Sequence, residues 1–232
     1  MPVPLSANIG RIYEQIEAVC AACGRSPAEI RLMAVSKFQP LEAVKEAYAA
    51  GARLFGESRV QEAETKLENR AEFPAMELHM IGALQRNKAK TAARIFDCIQ
   101  SVDRNELIAE LALHAPSRGK PLDILLELNA GEAAKSGYPD AGALAGAVEA
   151  ALAVPALRIR GLMTMAPLIA DDGAAARRAF RSLKQAADNL AARYPEADFS
   201  TLSMGMSGDF QIAIEEGSTL VRIGTAIFGE QP

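Results

Sequence analysis

The 232-residue sequence lacks most of the features that assign a chain at a glance. Its three cysteines, Cys20, Cys23 and Cys98, are odd in number and too few for a disulfide scaffold, which points to a reducing cytoplasm. Cys20 and Cys23 form a C-x-x-C, but near the end of an expected first helix, where the dipole disfavours a thiolate. A zinc ion would need two further ligands, and only Cys98, His79 and His114 are spare. The pair therefore reads as two small helical residues. No apolar run reaches 18 residues, which excludes an ordinary membrane span. The opening MPVPLSANIGRIYEQ has neither the basic start nor the apolar centre of a signal peptide. Basic excess is missing too: a formal net charge of −4 argues against general nucleic-acid binding. No G-x-G-x-x-G follows the first expected strand, and no linker or low-complexity segment divides the chain.

What is present is an alternation of strand-like and helix-like segments. A first helix over 7–23 is followed by expected strands at 30–36, 53–56, 78–82, 96–101, 122–129, 157–163, 199–203 and 219–223. Between them fall expected helices at 41–50, 57–70, 87–95, 104–113 (with Asp103 as its cap), 139–153, 173–194 and 210–216. Eight strand-plus-helix units in this length predict one α/β domain over 1–232, a closed (β/α)8 barrel. Residues 1–28 form an added helix and lead-in.

Chemistry on such a barrel belongs at the C-terminal ends of its strands. Two small-residue turns stand at the last two strand ends. Met204-Gly205-Met206-Ser207-Gly208-Asp209 runs into a helix, and Gly224-Thr225 follows the final strand. Unpaired N–H groups, a hydroxyl and glycines that admit close approach suit a phosphate. At the first strand end, Lys37 follows Met33-Ala34-Val35-Ser36 and is expected to point into the barrel mouth. An amine against an apolar wall is held in the neutral form that attacks carbonyls, although a surface lysine opening a loop is the plain alternative. A Schiff-base lysine facing a phosphate seat suggests pyridoxal 5′-phosphate, which carries aldehyde and phosphate on different arms of one ring.

Ala34-Val35-Ser36-Lys37 resembles the cofactor-lysine motif of the YggS/PROSC family of pyridoxal phosphate homeostasis proteins. So do Phe55-Gly56-Glu57-Ser58-Arg59-Val60-Gln61-Glu62, the stretch from His79 to Lys88, Glu132-Ala133-Ala134-Lys135-Ser136-Gly137, Gly161-Leu162-Met163 and nearly all of Leu202 to Gly229. The resemblance implies a fold-type III barrel similar to the N-terminal domain of alanine racemase. Lys37 would carry the cofactor as a Schiff base. Ser207, Gly224 and Thr225 would hold the phosphate, with Met204 and Gly208 in the same cradle, and Arg222 would face the pyridine nitrogen. Ser58 and His79 complete the candidate cofactor-binding set. For Arg222 the alternative is an interior arginine paired with Glu57 or another carboxylate, and for His79 a packed, hydrogen-bonded histidine.

Two departures from the family pattern stand out. Serine replaces the usual asparagine in Gly56-Glu57-Ser58, and the loop Asn129-Ala130-Gly131-Glu132 is a residue shorter, so no role is given to Asn129. Alanine racemase needs two opposed acid/base groups, the lysine and a tyrosine brought by a separate β-domain of the partner subunit. Only Glu230-Gln231-Pro232 follow Gly229, and Tyr13, Tyr48, Tyr138 and Tyr194 stand at no expected strand end. The leading expectation is a monomeric carrier that delivers the cofactor to apo-enzymes and supports vitamin B6 and amino-acid balance. A weak racemase-like enzyme, or an aldolase-like barrel with a sugar Schiff base, remain as alternatives. Arg86, Lys88, Lys90 and Arg94, with Lys120 and Lys135 expected nearby, make a basic cluster that is either ordinary solvation or a guide for an anionic ligand.

Overall fold

The computed structural model describes residues 3–68, 70–132, 135–167 and 173–229. Ala133 and Ala134 of the Glu132-to-Gly137 motif, and Glu230-Gln231-Pro232, lie outside the described residues.

Eight parallel strands close on themselves in sequence order: β1 (Arg31–Val35), β2 (Leu54–Glu57), β3 (Glu77–Met80), β4 (Cys98–Val102), β5 (Leu122–Glu127), β6 (Leu157–Met163), β7 (Thr201–Ser203) and β8 (Leu220–Ile223). Parallel neighbours need a crossover, and these are helical. The helices are α1 (Leu5–Cys23), α2 (Leu41–Ala49), α3 (Val60–Lys66), α4 (Ala89–Ile95), α5 (Asn105–His114), α6 (Ala141–Leu152), α7 (Ala174–Arg193), α8 (Phe210–Glu215) and α9 (Thr225–Phe228). The (β/α)8 barrel expected from the sequence is thus the observed architecture.

Strand alternation divides the core in two. Ala34, Phe55, Leu126, Leu162, Val221 and Ile223 face outward and join the helices in the large apolar layer. Met33, Val35, Leu54 and Leu220 face inward as one small cluster, and Cys98, Leu125 and Met163 as another. On β6 the phase is reset: Ile124 pairs with Ile159 but Leu125 with Gly161, so Arg160 is an extra residue in that strand.

The added helix α1 buries Ile9, Ile12, Ile16 and Cys20, one stripe at helical spacing. It ends at Gly24, whose φ of 72° gives the left-handed cap that glycine adopts without strain. Asn8 Nδ2 and Arg25 Nη1 then tie its two ends to the last units, donating to the Ile227 carbonyl at 2.7 Å and the Ile214 carbonyl at 2.7 Å.

Two local expectations are corrected. Asp103 does not cap α5; Arg104 takes the cap position without a side-chain bond and pairs with Asp103 at 2.5 Å. The helix expected over 57–70 is regular only over Val60–Lys66, because Glu57 stays in β2, where Ser36 donates a hydrogen bond to it. No described helix is long and apolar enough to cross a membrane. The three cysteines are free, and no metal-binding group of three or more His, Cys, Asp or Glu occurs among the described residues.

Candidate functional site

The strand C-termini surround a cavity of about 510 Å³. Lys37 after β1, Ser58 after β2 and Gly82 after β3 form one side, and Glu127 ends β5 on another. Met206, Ser207 and Gly208 after β7, with Arg222, Gly224 and Thr225 of β8 and its following turn, close the rest.

Lys37 is there by strand phase. Met33 and Val35 face inward, so the next inward position beyond the strand is Lys37, half-buried at the mouth. The outward residues beside it form a clamp. Ser36 Oγ donates to Glu57 Oε1 at 2.7 Å, and Lys66 Nζ donates to Glu57 Oε1 at 2.8 Å, Glu62 Oε1 at 3.0 Å and the Ser36 carbonyl at 2.8 Å. Glu62 also accepts the Phe38 N–H at 2.6 Å, and Phe38 itself sits at φ 63°, a strained conformation for an aromatic residue. Burial pushes the Glu57 carboxyl up, while Lys66 and Ser36 pull it back. The Lys37 loop is thereby fixed from beneath by a buried ion cluster.

Opposite, Ser207 Oγ accepts the Ala226 N–H at 3.3 Å, which brings the two small-residue turns together. Asp209 accepts the Met206 N–H at 2.5 Å and shapes the first turn. The N–H groups of Ser207 and Gly208 donate to no acceptor among the described residues. That is the expected property of an anion seat.

Arg222 is buried and fully committed on one side. Nη1 donates to the Ser203 carbonyl at 2.7 Å and Ser203 Oγ at 2.8 Å, and Nη2 to the Thr164 carbonyl at 2.9 Å. Two of its five N–H groups have no partner among the described residues, while the side chain lines the cavity. It does not pair with Glu57. Burial brings its pKa down to about 10, with Asp209 and Glu127 acting the other way, so it stays charged at neutral pH.

Seven of the nine candidate residues, Lys37, Ser58, Ser207, Gly208, Arg222, Gly224 and Thr225, line this cavity. His79 and Met204 do not. His79 is inward-facing but lies below the mouth, with Nε2 2.7 Å from Glu77 Oε1 and Nδ1 2.7 Å from Gln100 Nε2. Met204 follows inward Ser203, so alternation turns its side chain into the outer apolar layer. Lys120 belongs to the opposite end, 3.8 Å from Asp97, and Lys135 pairs with Glu132 at 2.8 Å. Asn129 shapes its own loop, accepting from Gly131 and Glu132.

Glu127 is the cavity residue that the sequence reading passed over. It is buried, accepts Ser136 Oγ at 2.9 Å, and has its carboxyl pushed up by burial, with the Ser136 bond opposing. A signal was available: it is a charge at the end of a nearly continuous apolar run, in phase with inward Leu125.

The family described as alanine racemase, N-terminal domain, matches residues 8–232. The chain is 44% identical over 231 residues to the pyridoxal phosphate homeostasis protein of Vibrio cholerae, covering 98% of this chain and 96% of that one. It is 41% identical over 231 residues to the protein of that name from Escherichia coli K12, covering 97% and 96%. Among solved structures, PipY of Synechococcus elongatus PCC7942 with PLP bound superposes with a TM-score of 0.81 at 36% identity, covering 93% of this chain and all of that one. An alanine racemase from Clostridium difficile 630, at 13% identity, shares the fold with a TM-score of 0.78 over 57% of its own length. By barrel, cavity and sequence alike, the chain belongs to the pyridoxal phosphate homeostasis protein family.

Proposed function

We propose that this chain binds pyridoxal 5′-phosphate in the mouth cavity, anchored on Lys37, and serves intracellular vitamin B6 and amino-acid homeostasis as a carrier or regulator rather than a catalyst. The observation that carries the reading is the cavity's division of labour. An amine, an anion seat with unspent N–H groups, and a guanidinium with two free donors face one space of about 510 Å³. When bound, the group supplies an aldehyde that condenses with amines and a phosphate monoester.

Each part of the chain then has a stated task. Lys37 holds the ligand through its amine. The Ser207 and Gly208 amides, with Gly224 and Thr225, receive the phosphate oxygens. Arg222 can donate but not accept, so a ring nitrogen beside it keeps its lone pair, which makes the ring a weaker electron sink than a carboxylate partner would. Ser58 stands on the cavity wall and offers one hydroxyl. We place the protein, as a monomer, in a reducing cytoplasm, where apo forms of pyridoxal-phosphate enzymes are its recipients.

The second reading, a racemase-like enzyme, is favoured by Glu127 alone. A buried carboxyl with a raised pKa in a ligand cavity is a candidate acid or base. Against it, no tyrosine is among the residues lining the cavity, and the two buried ones are engaged elsewhere: Tyr138 donates to Asn105 at 3.0 Å and Tyr194 to Glu149 at 2.6 Å. The test is to load the protein with pyridoxal phosphate, locate the adduct on Lys37 by borohydride reduction and mass, then incubate with amino acids in deuterated water. The expected result is no Cα deuterium beyond free-cofactor controls. Rapid exchange of one amino acid, abolished by Lys37→Ala and by Glu127→Gln, makes the protein an enzyme.

A further inference from the structure

The interior of the barrel is not simply apolar. Between its two small hydrophobic clusters runs a chain of polar side chains, His79, Gln100, Ser203 and Arg222, each no more than 4% exposed. They come from β3, β4, β7 and β8, and the chain crosses the barrel, with Gln100 and Ser203 bonded across 103 positions of sequence. At its far end stands Glu77, which is also bonded to Arg31 Nη2 at 2.5 Å.

The direction of every bond follows from the two ends. Arg222 has only donors, so Ser203 Oγ must accept from Nη1 at 2.8 Å. The serine hydrogen is then free to be given to Gln100 Oε1 at 2.6 Å. That orients the amide, whose Nε2 lies 2.7 Å from His79 Nδ1. An amide nitrogen has no lone pair to offer, so Nδ1 must accept and the ring hydrogen sits on Nε2. Nε2 donates in turn to Glu77 Oε1 at 2.7 Å, and a carboxylate can only accept. A donor-only group at one end and an acceptor-only group at the other leave a single polarity for the whole chain. Reversing any one link leaves a buried donor facing a donor, which is costly in a low-dielectric interior.

We infer that Ser203, Gln100 and His79 are positioning residues that hold the Arg222 guanidinium in the cavity wall through a one-way hydrogen-bond relay ending on Glu77. None of the three lines the cavity, so each acts on a ligand only through Arg222. The relay occupies three of the five Arg222 N–H groups together with the Ser203 and Thr164 carbonyls, and so determines which donors remain for the cavity. It rests on the pyridoxal phosphate reading for the ligand used as a probe, but its polarity is a property of the protein alone.

The experiment has two arms. In the first, ¹⁵N NMR of the ligand-free protein reads the His79 ring, with His114→Gln identifying the other histidine. A hydrogen on Nε2 and a bare, hydrogen-bonded Nδ1 are expected. Gln100→Glu, close in shape, still accepts from Ser203 but cannot donate to Nδ1, so the ring, now between two carboxylates, should carry a hydrogen on Nδ1 as well as on Nε2. In the second arm, pyridoxal phosphate is titrated in by absorbance. Gln100→Leu and Ser203→Ala are each expected to weaken binding about tenfold and to displace the visible band, and Gln100→Glu to keep the band. A hydrogen on Nδ1 in the unaltered protein, or Gln100→Leu and Ser203→Ala with unchanged affinity and band, overturns the relay. If the unaltered protein itself fails to bind pyridoxal phosphate, the ligand reading falls while the His79 signals still decide the relay.

Discussion

Glu77 illustrates how a single residue can carry both structure and pH response. Burial alone raises its carboxyl, but the His79 hydrogen bond and the Arg31 pair more than offset this and hold it at about 2. The folded protein therefore binds this proton less tightly than the unfolded chain, whose value is near 4.5. Its contribution to stability is present above about pH 4.5 and is lost as pH falls toward 2. The side chain is 40% exposed, so solvent screening reduces the contribution to about 1 kcal/mol. Urea unfolding of the protein and of Glu77→Gln should differ by about that amount near neutral pH, and the gap should close with acid. Parallel acid curves would refute the assignment. The same scale explains which site residues the sequence revealed. Lys37 was legible because strand phase and strand end coincide there. His79 has the inward phase but stands in mid-strand, so its depth, which a period of two does not encode, keeps it from the mouth. Met204 is one residue past inward Ser203, and one step changes the face.

At the scale of elements, β6 turns on Gly161. Its φ is 147°, and a Cβ there would lie 1.8 Å from the Thr201 carbonyl oxygen of β7. Only glycine allows the two strands to approach this closely beside the extra residue, Arg160. Without that extra residue Met163 would face the helices and Leu162 the barrel, the reverse of what is observed. Gly161→Ala should cost about 3 kcal/mol or more and lower the melting temperature by several degrees. Gly10, in α1 with open space around its Cα, is the control. Gly10→Ala should leave stability unchanged or raise it by up to about 1 kcal/mol. An unchanged melting temperature for Gly161→Ala would mean the strands relax around the methyl. The eight strands were readable from their apolar runs and turn residues, whereas this bulge was not, since one extra residue alters neither composition nor length perceptibly. Glu57 is a similar case. Its sequence neighbours suggest a helix, but its bonds to Ser36 and Lys66, both distant in sequence or unseen until folding, keep it in β2.

For the whole molecule, the two ends of the barrel differ in how their positive charge is used. At the end away from the cavity, Lys120 and Arg70 both pair with Asp97. On the helical segment after β3, Arg86 pairs with Glu110 and Arg94 with Glu64, but Lys88 and Lys90 have no carboxylate partner among the described residues. The chain as a whole is negative, at −4, so a dianionic ligand is repelled at long range and needs a local positive approach to the mouth. We propose that Lys88 and Lys90, on the segment that follows the end of β3, supply it. Replacing both with Gln should slow pyridoxal phosphate association severalfold at low salt, where the screening length is about 30 Å, and much less at physiological salt, where it is about 8 Å. Dissociation should hardly change, because neither residue lines the cavity. Lys120→Gln, which removes one charge where the double variant removes two, lies at the other end and is already paired, and should leave the association rate near that of the unaltered protein. Stopped-flow absorbance over a range of salt concentrations measures all three. Slowing by the Lys120 change of about half the double variant's, in the logarithm of the rate, would assign the effect to net charge, and no slowing in the double variant would remove the steering role from this helix.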